Sequence, residues 1–196
     1  SSDVCSSDLG LGKGAQQCGI AFLGLPACGV DVLIGGPIRR VEARRQLDID
    51  DALVSRYFQS GQLSPGQRSC ALKHVQALRL IVERDWRQAL VLEDDALLIP
   101  RFVPELAATL EEAVRLPSPR VLFIGSGGNQ YTPRRFRVAG QRLYKSERGR
   151  LGEAYVLGSP EARVRLRWIE EHGIPLPIDN LFERIDRECE IGRAHV

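Results

Sequence analysis

The stretch Gln88–Pro100, QALVLEDDALLIP, decides how the chain is read. Val91 and Leu92 lead into Glu93, Asp94 and Asp95, and Leu97, Leu98 and Ile99 follow. A short apolar run of this kind reads as a buried strand. Three carboxylates in its middle oppose burial, since each, unpaired, would cost on the order of several kcal/mol. Two resolutions are open. Side chains alternate along a strand, so Glu93 and Asp95 share a direction and Asp94 opposes them. Two hard oxygen ligands aimed at one point suit Mg²⁺ or Mn²⁺, and such an ion offsets their repulsion and can hold a diphosphate. Alternatively, the strand ends in a solvated acidic turn that caps a helix.

Upstream, Leu63–Asp85, LSPGQRSCALKHVQALRLIVERD, is the clearest helix. Ser64 can cap it, Pro65 suits its first position, and Gln67 completes a capping box. Ala71, His74, Val75, Leu78, Ile81 and Val82 fall on one apolar stripe. Downstream, VPELAATLEEAVRL reads as an amphipathic helix and RVLFIGSGG as a strand ending in a Gly-rich loop. GEAYVLG is a third core strand, followed by the helix SPEARVRLRWIEEHG, a Pro-rich loop and the start of a further helix in IPLPIDNLFERIDREC. Arg134–Lys145 mixes β-branched, aromatic and basic residues, as an antiparallel excursion would. Nearer the start, GIAFLGL and VDVLIGG each suit a buried strand, DDALVSRYFQSG suits a short helix, and Arg39–Asp51 fits helix or loop. Helices alternating with apolar strands predict one α/β domain over residues 10–189, with a mostly parallel sheet flanked by helices. The ALVL strand is apolar on both faces, so it belongs at the centre, beside VLFIG.

The ends read differently. Back-translated, EIGRAHV (Glu190–Val196) is the reverse complement of a coding sequence for DVCSSDL (Asp3–Leu9). Unrelated protein ends have no reason to share that relation. We expect residues 1–9 and 190–196 to be adapter-derived, non-native tails that pack poorly against the core, with the domain truncated at both ends.

With 196 residues, 43% hydrophobic and 27% charged, the chain suits a globular domain with a sizeable core. No apolar run approaches the ~20 residues of a membrane-spanning helix. The net charge is +2; the two tails carry −2, which leaves +4 on the rest, concentrated around Arg134, Arg135, Arg137, Arg142, Lys145, Arg148 and Arg150. That balance gives no argument for nucleic acid. The cluster could meet an anionic acceptor or membrane surface, or simply be a solvated face. Cys18, Cys28, Cys70 and Cys189 form no C-x-x-C pair, which fits a reducing compartment or simple burial, and a cytoplasmic location is expected.

Four blocks in order, LSPGQRSCALKHVQAL, ALVLEDDALL, GEAYVLGSPEA and PLPIDN, resemble glycosyltransferase family 25 over roughly residues 63–180. These are lipopolysaccharide-type galactosyl- and glucosyltransferases related to collagen galactosyltransferases. The resemblance implies a GT-A-like (Rossmann-like) fold, a UDP-linked nucleotide-sugar donor, and a D-x-D-type metal site in which Glu93 and Asp95 hold Mn²⁺ or Mg²⁺. It places Asp94, Gly125, Ser126 and Tyr155 on the donor side and makes His74 a partner of the acidic site, where the pattern alone suggests a core histidine. Asp179 becomes the catalytic base, where the pattern alone equally suggests a helix cap. The family's opening strand and its Arg-containing loop are not found in Gly10–Arg45. The expected activity is metal-dependent transfer of a hexose to a lipopolysaccharide, lipooligosaccharide or other glycan, with peripheral contact at the inner membrane. Two other readings use the same residues: a non-catalytic α/β module without a complete donor site, and a Mg²⁺-dependent phosphotransferase or hydrolase.

Overall fold

The computed structural model describes residues 20–25, 30–35, 51–58, 63–93, 96–125, 132–146 and 152–196. Among the described residues, seven strands form one sheet: β1 (Ile20–Leu25), β2 (Val30–Gly35), β3 (Ala89–Leu92), β4 (Arg120–Phe123), β5 (Tyr144–Lys145), β6 (Ala154–Leu157) and β7 (Gly192–His195). Five α-helices among the described residues accompany them: α1 (Asp51–Tyr57), α2 (Pro65–Glu83), α3 (Phe102–Ala113), α4 (Ser159–His172) and α5 (Ile178–Glu188). The α/β class is as expected, and the two Gly-rich runs near the start do form strands.

Strand order corrects the expectation in two respects. The order is β1-β2-β3-β6-β4-β7-β5. β3 is central, but β6 lies between it and β4, antiparallel to both. The sheet is therefore mixed rather than mostly parallel: β2·β3 and β4·β7 run parallel, and the other pairings are antiparallel. Strands apolar on both faces report helical cover on each side, and that cover is present; the pattern does not encode direction.

α2 forms for the local reasons its sequence states. Ser64 Oγ accepts from the Gln67 N–H at 3.3 Å, and Gln67 Oε1 accepts from the Ser64 N–H at 2.9 Å. Its stripe, including Ala71, Val75, Leu78 and Ile81, is buried against one face of the sheet. Ala89 and Val91 of β3 and Tyr155 and Leu157 of β6 face that core, together with α4 and α5. Leu90, Leu92, Leu122, Ala154 and Val156 point the other way and pack on α3. Fully burying one such Leu contributes about 1.5–3 kcal/mol.

Three carboxylates, two of them buried, brace this frame. Glu161 accepts from the backbone N–H groups of Gly158 and Arg120, tying the start of α4 to β4. Glu112 accepts from the N–H groups of Arg142 and Leu143, fixing the basic segment against α3. Arg165 and Asp186, each 0% exposed, make a bidentate pair at 2.9 and 2.8 Å between α4 and α5.

The tail Glu190–Val196 does not pack poorly. β7 pairs parallel with β4, and Ala194 and His195 are buried. Strand addition needs mainly backbone groups, and β4 without β7 would present an open edge. Docking therefore does not bear on how the segment was encoded. Residues 1–9 lie outside the described residues, as does most of Arg39–Asp51. Among the described residues, no helix is long and apolar enough to cross a membrane.

Candidate functional site

A polar cluster forms where β3 and β4 end and β6 begins, on the face covered by α2 and α5. In α/β sheets this carboxyl edge is where ligands bind. Glu93 follows β3 and continues the direction of Ala89 and Val91, toward α2. Its backbone N–H donates to the Glu153 carbonyl at 2.9 Å, which extends the β3·β6 ladder to the site. The carboxylate is 35% exposed and lies 3.5 Å from Nε2 of buried His74. That contact with His74 holds the Glu93 carboxyl below its usual range, against an opposing effect of burial.

His74 is buried in the α2 stripe and also contacts Glu93. Its Nδ1 is 2.9 Å from the Tyr155 hydroxyl, its ring stacks on Tyr155, and Phe182 meets it edge-on. Tyr155 is 1% exposed, and burial pushes its phenol well above the usual value. It therefore stays protonated and orients the imidazole so that Nε2 looks toward Glu93.

Asp179 stands in the first turn of α5 and does not cap it; Pro177 occupies the cap position. Instead, Asp179 Oδ1 accepts the Gly152 N–H at 2.7 Å. Burial raises its carboxyl above the ordinary value, partly countered by that N–H and by His74. Gly152 is where the elements meet. A Cβ there would lie 3.0 Å from Asp179 Oδ1 and 3.2 Å from both Cε1 and Nε2 of His74. Any larger residue would push the two groups apart, so the absence of a side chain is what lets them converge.

Gly125 also requires its small size, because a Cβ would fall 2.4 Å from Cγ and Oε1 of Glu153. It lines a cavity of about 790 Å³ on the α3 face, with Leu92, Phe102, Leu106, Ile124, Glu153 and Arg142. Leu97, Leu98 and Ile99 line the same cavity and are largely exposed. The cavity and the polar cluster thus open on opposite faces of the sheet and adjoin through Glu153.

The structure brings Glu93, His74, Tyr155 and Asp179 together and sets Gly125 at the neighbouring rim. Asp94, Asp95 and Ser126 lie outside the described residues, as do the rest of GSGGN, Arg148 and Arg150. Arg134, Arg135, Arg137, Arg142 and Lys145 are exposed. Sequence reasoning passed over Cys70 and Gly152. Cys70 had a usable signal: it precedes His74 by four residues on a helix whose cap and stripe are plain in the sequence, which places both on one face.

No curated protein matches the chain. Residues 44–131 match the family model for Glycosyltransferase family 25 (LPS biosynthesis protein). That span holds α2 with His74, β3 with Glu93, Asp94 and Asp95, α3 and β4. GEAYVLGSPEA and PLPIDN lie beyond it. Over this segment, somewhat less than half of its length, the chain is similar to glycosyltransferase family 25.

Proposed function

We propose that the chain carries the core of a divalent-metal-dependent hexosyltransferase, which moves galactose or glucose from a UDP-linked donor to a lipopolysaccharide, lipooligosaccharide or other glycan. The observation that supports this best is the convergence of Asp179 and His74 on Gly152, with Glu93 beside them at the end of β3. Transfer with inversion needs a base on the acceptor side. The acceptor oxygen forms a bond to the anomeric carbon as the bond to UDP breaks, and UDP leaves with that electron pair. Asp179 Oδ2 takes the acceptor proton, since Oδ1 is engaged by Gly152. A carboxyl raised by burial is better matched to this task than a solvated one.

Glu93, held ionised beside His74 and partly exposed, fits an oxygen ligand for Mn²⁺ or Mg²⁺, with Asp95 as its candidate partner. Such an ion supplies charge stabilisation to the leaving diphosphate. Asp94, Gly125 and Ser126 belong to the donor side in this reading, and Tyr155 acts by holding the His74 ring. Exposed Leu97, Leu98, Ile99, Phe136 and Val138, with Arg134, Arg135 and Arg137, suit peripheral contact with an anionic membrane on the cytoplasmic side.

Calorimetry of UDP with and without Mn²⁺, on the wild type and on Asp95→Asn, tests the reading. Metal-dependent binding that Asp95→Asn weakens strongly is the expected result. Equal binding without metal, unchanged by Asp95→Asn, would exclude the metal site. Slow hydrolysis of UDP-galactose or UDP-glucose, lost in Asp179→Asn, is the matching test of the base.

A further inference from the structure

Cys70, His74 and Glu93 bring a sulfur, a nitrogen and an oxygen atom within 4.8 Å of one another. We propose that these three side chains form a Zn²⁺ site that clips α2 to the end of β3 and shares Glu93 with the oxygen-ligand site proposed for the donor. The inference does not rest on the transferase reading; it rests on the donor set. Thiolate and imidazole favour Zn²⁺ over Mg²⁺ or Mn²⁺, which prefer carboxylates and water.

The geometry is partly preformed. Cys70 and His74 sit one turn apart on the same face of α2, a helix fixed by its capping box and buried stripe. Around Zn²⁺ with bonds of about 2.0–2.3 Å, tetrahedral ligand atoms lie roughly 3.3–3.8 Å apart. His74 Nε2 and Glu93 Oε1 are already 3.5 Å apart. Closing the set asks for adjustment of side chains, chiefly at Cys70 and at Glu93, both partly exposed.

The second ring nitrogen of His74 is managed as metal-bound histidines require. Nδ1 faces the Tyr155 hydroxyl at 2.9 Å. A phenol can donate or accept, so it serves either tautomer. Without metal, the hydroxyl donates to Nδ1 and Nε2–H faces Glu93. With metal on Nε2, Nδ1–H donates to the phenol oxygen, which fixes the ring. Binding replaces water on Zn²⁺ with the three side chains, and the Cys70 thiol proton leaves to solvent. Three protein ligands leave a fourth position for water.

Co²⁺ alone, then Zn²⁺ alone, provides the test on the full chain. Wild type should bind one Co²⁺ with a thiolate-to-metal charge-transfer band that equimolar Zn²⁺ abolishes and equimolar Mn²⁺ does not. Cys70→Ser should lose the band and bind Zn²⁺ at least tenfold more weakly, whereas Cys189→Ser should keep both properties. Circular dichroism verifies folding, and should Cys70→Ser unfold, Glu93→Gln reads the same loss of Zn²⁺ affinity from a partly exposed position. A band that survives Cys70→Ser, disappears in Cys189→Ser or never forms in the wild type would overturn the assignment, whatever the outcome with UDP.

Discussion

Replacing Arg165 by Met should unfold much of the margin that keeps this domain folded. Both Arg165 and Asp186 are 0% exposed, and two charge-assisted bonds, at 2.9 and 2.8 Å, join them. Met fills a similar volume but leaves Asp186 buried without its bidentate partner. Breaking a buried pair from one side costs about 3–5 kcal/mol, a large share of the roughly 5–15 kcal/mol that typical domains possess. The guanidinium also lies 4.0 Å from the Phe182 ring centroid, and losing that cation–π contact adds about 0.5–2 kcal/mol. The pair itself is a weak stabiliser, because Arg165 Nη1 is buried without a partner. Arg165→Met/Asp186→Leu should therefore recover most of the loss, to within about 1 kcal/mol of wild type or above it. Urea unfolding at pH 7, followed by the fluorescence of buried Trp168, gives all three stabilities and their coupling. A cost below about 1 kcal/mol for Arg165→Met, or a double variant as unstable as the sum of the singles, would refute the reasoning.

Asp179→Asn should keep the Gly152 bond but lose the base, lowering transfer by about 10²-fold or more. Its folded carboxyl is raised, so the stability associated with it falls as pH rises from the unfolded carboxylate value through the folded one. The Asn variant escapes that loss, and its urea midpoint at pH 7 should equal or exceed wild type. Glu93 has the opposite sign. Its carboxyl is depressed in the folded state, so its contribution is present above the unfolded value and fades as pH falls through the folded one. A melting series from pH 7 to about 3 should show less acid loss in Glu93→Gln than in wild type. Gly152→Ala removes no functional group, yet its Cβ meets Asp179 and His74 at 3.0–3.2 Å. It should cost about 1–3 kcal/mol in thermal unfolding, and turnover should fall even where the enzyme remains folded.

What could be read without the structure was what neighbouring residues determine. The Ser64–Gln67 capping box, the stripe of α2 and the β3 strand depend on residues a few positions apart, and all three form as read. Strand order depends on contacts across the chain, so the insertion of β6 between β3 and β4 left no local mark. Nothing local in either helix's sequence marks Arg165 or Asp186 for burial. Their burial follows from a pairing 21 residues apart, which neither helix pattern contains. β7 was discounted because of its coding relation to the start of the chain, a property that backbone pairing does not sense.

The site shows the same division. Glu93 stands out in the sequence because it interrupts an apolar strand, whereas His74 reads by pattern as a core histidine and enters the site only through the family resemblance. Asp179 was ambiguous, since helix-starting Asp usually caps; here Pro177 takes the cap position and Gly152 supplies the N–H instead. α5 delivers Asp179 through its first turn, and the same helix carries Phe182, whose ring meets His74 and Tyr155 edge-on. Arg165, bonded to Asp186 further along α5, lies over the Tyr155 and Phe182 rings. The apolar and ionic contacts that dock α5 are thus the contacts that set the distance from Asp179 to His74. Substitutions on the buried face of α5 should therefore disturb the carboxylate and the imidazole together, whereas changes on α3, packed on the other face of the sheet, should leave that distance intact.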